Sequence, residues 1–417
     1  MFTSKIKITF AFLLVFGLFA FISLNRHSHS EPNTYHSELW ADKAGYNVYL
    51  PSLFIYDFNA HLFPKDLDSK TGDGFKLDSL TGKIITKYPY GVSLLQSPFW
   101  LLAHIISTEK TGYSFFYQNS IDIAGSFYLT VGLFFLFFTI RMFNSRLQSV
   151  VISTGIILST GIFYYGIFET GMSHIYSFSC LSFLVFLLFK INETNFKRRL
   201  LFICFISILY IIIRPINILF LLPALLFFMY EKKQLFHIST VNFKSVFILI
   251  LFSFLLLYPQ LAYYKYAFGS YLTNSYQNEP FLFPSFSRII ELLFSANNGL
   301  LIYYPILIYF IFYWIKNKNK YCSLSIFLFI SYILIYASWW SLSLGCGFGH
   351  RTLNDIAVLL FIPIFWSEKK VPSLFLVCLI LCSLLNIKLM FSYDTCLYNT
   401  EKWNFSEYTT ILFGEFK

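Results

Sequence analysis

Charge is scarce in this chain. Asp, Glu, Lys and Arg make up 12% of its 417 residues, about half the share a soluble domain carries. With 57% hydrophobic residues, that scarcity excludes an ordinary water-soluble fold and points to a polytopic membrane protein. Several signatures are missing too. There is no GxxxxGK[ST] phosphate loop, no GxGxxG turn, no HExxH helix and no GxSxG elbow, so nothing marks P-loop hydrolysis, dinucleotide binding, zincin chemistry or an esterase-type nucleophile. The seven cysteines contain no CxxC pair, and no internal repeat is visible.

What is present is apolar and aromatic. The 53 Phe and 30 Tyr read first as lipid-facing filler. A crossing helix needs about 20 mostly apolar residues. Candidates lie near 7–24, 120–140, 148–167, 174–190, 199–213, 216–230, 245–264, 299–315, 321–339, 352–366 and 371–390. The expectation is an all-α polytopic transmembrane protein of about eleven spans, one integral-membrane domain over 1–417. Residues 1–24 begin with Lys5 and Lys7 like a signal peptide, but no small-x-small site follows at FISLNRHS, so a retained helix is expected.

The net charge of +10 does not indicate nucleic acid, because the basic residues fall in short clusters between apolar runs. Lys and Arg mark cytoplasmic loops. With the N-terminus inside, the inner segments hold more than half of the 31 basic residues but only three of the 21 acids. This predicts N-in, C-out in a bacterial cytoplasmic membrane, surrounded by its lipids.

Polar content gathers in outward segments. The first outer loop, 25–119, is the longest. Within it Tyr46, Tyr49, Leu50, Leu53 and Phe54 recur at helical spacing around Pro51, and VSLLQSPFWLLAHII is apolar, so both read as interfacial helices. Residues 65–87 read as loop, with turns at Thr71-Gly72-Asp73-Gly74 and Thr81-Gly82. The second outer loop is 263–298, and 391–417 is a short outer tail. Cys346 and Cys396 both fall outside, where a disulfide is permitted.

Ionisable groups at membrane depth are costly and mark cavities or partners. Here they lie on one side. A chemistry that acts on that side without ATP is transfer of a sugar from a polyprenyl-phosphate carrier. It needs an acid to take the acceptor proton, cations for the departing phosphate and a groove for the lipid. Asp42 is the candidate base. Lys87, His174, Arg214, His350 and Arg351 are candidates for the donor phosphate. Lys43, Tyr46, Tyr88, Glu169, Lys265, Tyr276 and Glu279 are candidates to orient substrate. Plainer readings stand beside these: Lys43 balancing Asp42, Arg214 bridged to Glu169, Asp355 pairing with Arg351 one helical turn earlier, Trp339 and Trp340 as interface anchors.

The layout resembles the GT-C class of polytopic glycosyltransferases, and within it the bacterial relatives of protein O-mannosyltransferases and lipid A aminoarabinose transferases. Asp42 falls at the place of that class's acidic motif, and Lys87-Tyr88-Pro89-Tyr90-Gly91 at its Tyr-Pro stretch. The segments GMSHIYSF, IIIRPIN, LFSANNGLLIYYP and SWWSLSLGCGFGHRTLND look like those of a less characterised bacterial subgroup near this class. The resemblance implies an inverting transferase acting on the outer face, with a polyprenyl-phosphate-linked sugar as donor and a glycan, lipid or protein acceptor. No metal ligand is assigned, and a divalent ion is left open. The chain departs from the class in carrying Lys43 where a second acid is usual and His174 where an Asp is usual. A transporter or flippase of an anionic or lipid-linked substrate, or an O-antigen-type ligase or polymerase, is the alternative. The absence of repeats weighs against a transporter.

Overall fold

The computed structural model describes residues 2–28, 30–31, 34–233, 243–277, 279–317, 319–365, 371–393 and 403–414. Helices dominate it. Helix α1 (Phe2–His27) is followed by a folded loop holding α2 (Asp42–Asn47), α3 (Tyr49–Phe54) and α4 (Leu67–Lys70), then α5 (Gly91–Ile106). The bundle continues with α6 (Phe115–Arg141), α7 (Arg146–Leu158), α8 (Ile162–Ile167), α9 (Ser173–Lys190), α10 (Phe196–Ile213), α11 (Ile218–Glu231) and α12 (Phe243–Phe268). Next come α13 (Phe286–Phe294), α14 (Leu300–Tyr303), α15 (Ile306–Asn317), α16 (Lys320–Ala337), α17 (Leu353–Phe365), α18 (Ser373–Ser392) and α19 (Phe405–Phe413). Six of these helices are long and apolar enough to cross a membrane: α1 from Ile6, α6, α9, α12, α16 and α18.

Local chemistry sets the breaks. Two expected spans are each divided. The 148–167 run ends at Leu158 and restarts after Gly161, and the 299–315 run divides at Tyr304-Pro305, because proline disfavours helix at the residue before it. Arg214 is extended (φ −148°, ψ 111°) ahead of Pro215 for the same reason, separating α10 from α11. Starts are capped: Ser145 and Gln148 form a capping box on α7, and Asn319 accepts from the Cys322 N–H at α16.

Helices α6 and α9 form the central pair, with α1 and α5 against α6 and with α10 and α17 against α9. All 13 residues of α17 are buried, as expected for a helix that is apolar all round beyond Asn354 and Asp355 in its first turn. At the α6–α9 crossing, a Cβ on Gly132 would lie 2.4 Å from the Phe178 ring, so the approach depends on a missing side chain.

The stretch from the end of α1 to the start of α6 has its own core: Leu39, Val48, Tyr49, Leu50, Trp100 and Tyr117 among others, closed by Tyr263 and Ala267 from the end of α12. The 65–87 stretch holds a small antiparallel hairpin, Lys76–Leu77 with Ile84–Ile85, rather than loop alone. Tyrosines satisfy its backbone: Tyr266 accepts from the Ile84 N–H at 2.9 Å and Tyr263 from the Thr86 N–H at 2.6 Å. Tyrosine as lipid-facing filler is therefore corrected, since Tyr117, Tyr164, Tyr165, Tyr176, Tyr210, Tyr303, Tyr304 and Tyr332 are fully buried. Many phenylalanines do face outward, among them Phe10, Phe21, Phe247 and Phe312.

Replacing Gly132 with Leu should destabilise the bundle by about 1–3 kcal/mol through overpacking. Gly17 faces open space, so Gly17→Leu should leave the thermal midpoint in detergent unchanged. Equal midpoints for the two variants would contradict the packing at the α6–α9 crossing.

Candidate functional site

Asp42 opens α2 from a strained entry. Ala41 has φ 47° and ψ −126°, a conformation that non-glycine residues rarely adopt and that costs on the order of 1–3 kcal/mol. Its carbonyl is held so close to Gly74 that a Cβ there would sit 1.8 Å away. The Asp42 carboxylate accepts the Tyr88 hydroxyl at Oδ1 (2.5 Å) and the Arg351 guanidinium at Oδ2 (2.8 Å). Arg351 comes from the other wall, after a loop in which Leu344 and Gly345 also take positive φ. Asn298 holds that loop through the Ser343 and Gly345 carbonyls, and the Tyr393 hydroxyl holds it through the Gly347 carbonyl. Cys346 in the same loop is disulfide-bonded. The five cysteines within the helices are free, and Cys396 lies outside the described residues.

Between these walls is a cavity of about 240 Å³, lined by Trp40, Asp42, Lys43, Tyr165, Glu169, Arg351 and the 344–347 loop. The Asp42 side chain is 31% accessible and that of Arg351 20%. Enclosure pushes the Asp42 carboxyl up, but Arg351, the Tyr88 hydrogen bond and Lys87 together outweigh it and hold the group below the ordinary aspartate range. Asp42 is thus a carboxylate kept ionised by a guanidinium.

The Asp-Lys dipeptide is not a pair. Lys43 points away from Asp42 and donates to Glu38 (3.1 Å) and bonds Glu169 (2.9 Å). Burial disfavours its charge, yet Glu169 and Glu38 raise its pKa above the ordinary lysine value, so it stays an ammonium. Glu169 therefore partners Lys43, while Arg214 takes another acid.

That acid is Asp355. Arg214 Nε lies 3.4 Å from Asp355 Oδ2, and His174 Nδ1 lies 3.0 Å from Asp355 Oδ1. Asp355 thus pairs across helices rather than with Arg351 one turn before it. Tyr46 joins the two charge clusters: its ring is 4.5 Å from that of Tyr88, and its hydroxyl meets Ser173, which Arg214 also contacts. His174 is wholly enclosed. His350 is also buried, bonded to the Tyr332 and Thr352 hydroxyls. Burial and the neighbouring Arg351 push His350 down to about 3, so it is neutral.

A third group lies beside the first. Lys87 bonds Glu279 and sits between the Tyr88 and Tyr276 rings, 5.3 and 5.4 Å from their centroids. Lys265 is exposed in the last turn of α12 and donates to the Gly269 carbonyl just past the helix end at 2.8 Å. Trp340 is 46% exposed, while Trp339 packs on Phe281 and Tyr276.

Sequence reading brought together Asp42, Tyr46, Tyr88, Lys87, Tyr276, Glu279, Arg351, Arg214 and His174, but passed over Glu38, His27 and Asp122. Asp122 had a visible signal: it is the single acid inside the otherwise uncharged run 120–140.

Arg351→Ala should leave Asp42 enclosed without its counter-charge, so protonation becomes favourable. Because the wild-type carboxyl is depressed, the pair stabilises the fold above the ordinary aspartate range and is lost as pH falls. The gap in thermal midpoint between wild type and Arg351→Ala should be wide at neutral pH and close as pH falls through the ordinary aspartate value of 3.8 and below it, where the depressed wild-type carboxyl takes up its proton. A gap independent of pH would contradict the pairing.

No family model, curated protein or solved structure matches this chain; the chemistry of the cavity is left to its own side chains.

Proposed function

We propose that the chain is a GT-C-type membrane glycosyltransferase. It moves a sugar from a polyprenyl-phosphate carrier to an acceptor hydroxyl on a glycan, lipid or protein. In this reading the N-terminus is cytoplasmic and the cavity opens on the periplasmic face of the bacterial cytoplasmic membrane. Helix α10, the shorter apolar helices α11, α15 and α17 and the broken α7–α8 complete about eleven crossings in this reading. The observation that carries the reading is the Asp42–Arg351 pair at the rim of the cavity, because it places a base and a phosphate-binding cation 2.8 Å apart.

The chemistry follows from exchange of partners. A guanidinium binds a phosphate as readily as a carboxylate, through the same fork of N–H donors. When the carrier phosphate arrives, Arg351 turns to it and Asp42 loses the charge that depressed its basicity. The acceptor oxygen then attacks the anomeric carbon on the face opposite the phosphate. The bond between that carbon and the phosphate oxygen breaks, the lipid phosphate leaves with the electron pair, and Asp42 takes the hydroxyl proton. The anomeric centre inverts. Lys87 and Arg214 add positive charge along the path, Tyr46 and Tyr276 line it, and Tyr88 fixes the carboxylate plane. His174, His350, Glu169 and Lys43 hold the walls. The apolar surface of α12, mostly unburied, suits the carrier tail.

Loss of a general base costs roughly 10²–10⁴-fold in rate. Asp42→Asn should therefore insert and fold normally yet abolish transfer, read as the loss of one sugar in the mass-spectrometric profile of envelope glycans from a complemented deletion strain. Arg351→Ala should also weaken retention of polyprenyl phosphate in native mass spectra. A wild-type glycan profile from Asp42→Asn would refute the base assignment.

A further inference from the structure

Behind the cavity lies a cluster that the transfer reading does not use. His27 closes α1, Glu38 belongs to the first outer loop and Asp122 sits inside α6. All three are buried, and one donor atom from each lies within 4.8 Å of the others. His27 Nδ1 is 2.7 Å from Asp122 Oδ1, and its Nε2 is 3.5 Å from Glu38 Oε1.

Each carboxylate is held by neutral donors, and Glu38 Oε1 also accepts from the Lys43 ammonium at 3.1 Å. Ser23 and Thr170 hydroxyls donate to Asp122 Oδ1 at 3.0 and 3.1 Å. The Thr170 hydroxyl and the Gly171 N–H donate to Glu38 Oε2 at 2.8 and 2.7 Å. Metal ligands are commonly fixed by such a surrounding set of hydrogen bonds. Asp122 Oδ2 stands apart: it is buried and has no hydrogen-bond partner. A buried anionic oxygen left in that state is costly unless a cation completes it. A proton on His27 would serve the contacts that the imidazole already makes, but it would not reach this oxygen.

We propose that His27, Glu38 and Asp122 form a binding site for a divalent first-row metal ion of the Zn²⁺ or Mn²⁺ kind. One imidazole with two carboxylates suits such ions, whereas Mg²⁺ and Ca²⁺ prefer all-oxygen sets. The ion ties the end of α1, the first outer loop and α6 at one point. Its effect reaches the cavity through Lys43, which bonds Glu38 and lies in the first turn of α2 next to Asp42. The role is positional, and the site stands whether or not sugar transfer proves to be the activity.

The test uses the full chain purified in detergent without chelator. Elemental analysis should find zinc or manganese in stoichiometric amount. Stripping with a strong chelator should lower the thermal midpoint, and the same ion, but not Mg²⁺, should restore it. Asp122→Asn, nearly isosteric, and His27→Gln should each lose the metal. If the protein arrives metal-free, added Zn²⁺ or Mn²⁺ should raise the wild-type midpoint and leave both variants unmoved. Metal-free protein with a midpoint indifferent to these ions overturns the proposal and leaves a protonated His27 between two acids. Metal retained by both variants overturns it as well. The wild-type measurements decide the matter even if a variant fails to fold.

Discussion

A carboxylate and a guanidinium that lie 2.8 Å apart, 309 positions apart along the chain, join the segment between α1 and α5 to the segment entering α17. Both border the cavity, with side chains 31% and 20% accessible, and each is enclosed enough that a counter-charge offsets part of its desolvation. The same constraint recurs around them. Lys43 needs Glu38 and Glu169, Arg214 needs Asp355, and Lys87 needs Glu279. Every one of these contacts except Lys43–Glu38 crosses between distant segments, so the need to pair charge is also what draws the loops together over one cavity.

Backbone polarity poses a second constraint. Where helices break or a hairpin forms near the membrane, freed N–H and C=O groups need partners. Tyrosine supplies many of them. Tyr210 donates to the Asp355 carbonyl, Tyr304 to that of Phe348, and Tyr303 to that of Ala296. An aromatic body with one polar tip suits this work, which accounts for buried tyrosines in a chain that keeps many phenylalanines on its surface. The strain at Ala41 and Leu344 lies on the two walls of the same cavity, where the pairing of charge holds it in place.

Much of this was legible in the sequence. Hydropathy marked the long helices, because a periodic or continuous apolar run has few other uses. The position of Asp42 after the first apolar helix and of Arg351 after three closely spaced glycines marked both halves of the central pair. Partner choice was not legible. Adjacency suggested that Lys43 balances Asp42, and helical spacing suggested that Asp355 balances Arg351. In the fold, neighbours in sequence point to opposite sides, and each charge finds its counterpart on another helix. Of the His27–Glu38–Asp122 cluster only Asp122 carried a signal, and its partners did not, since no spacing rule links three separate segments. The breaks at Gly161 and Pro305 were readable from residue type, yet continuous hydropathy concealed them.

The most direct measurement is a density map of the protein in lipid nanodiscs with a polyprenyl phosphate added at saturation. The account predicts phosphate density against Arg351, with the Arg351–Asp42 contact opened and the Asp42 carboxylate turned into the cavity. An intact Asp42–Arg351 pair with no phosphate beside it, or a water-filled path running from the cavity to the opposite face, would contradict it.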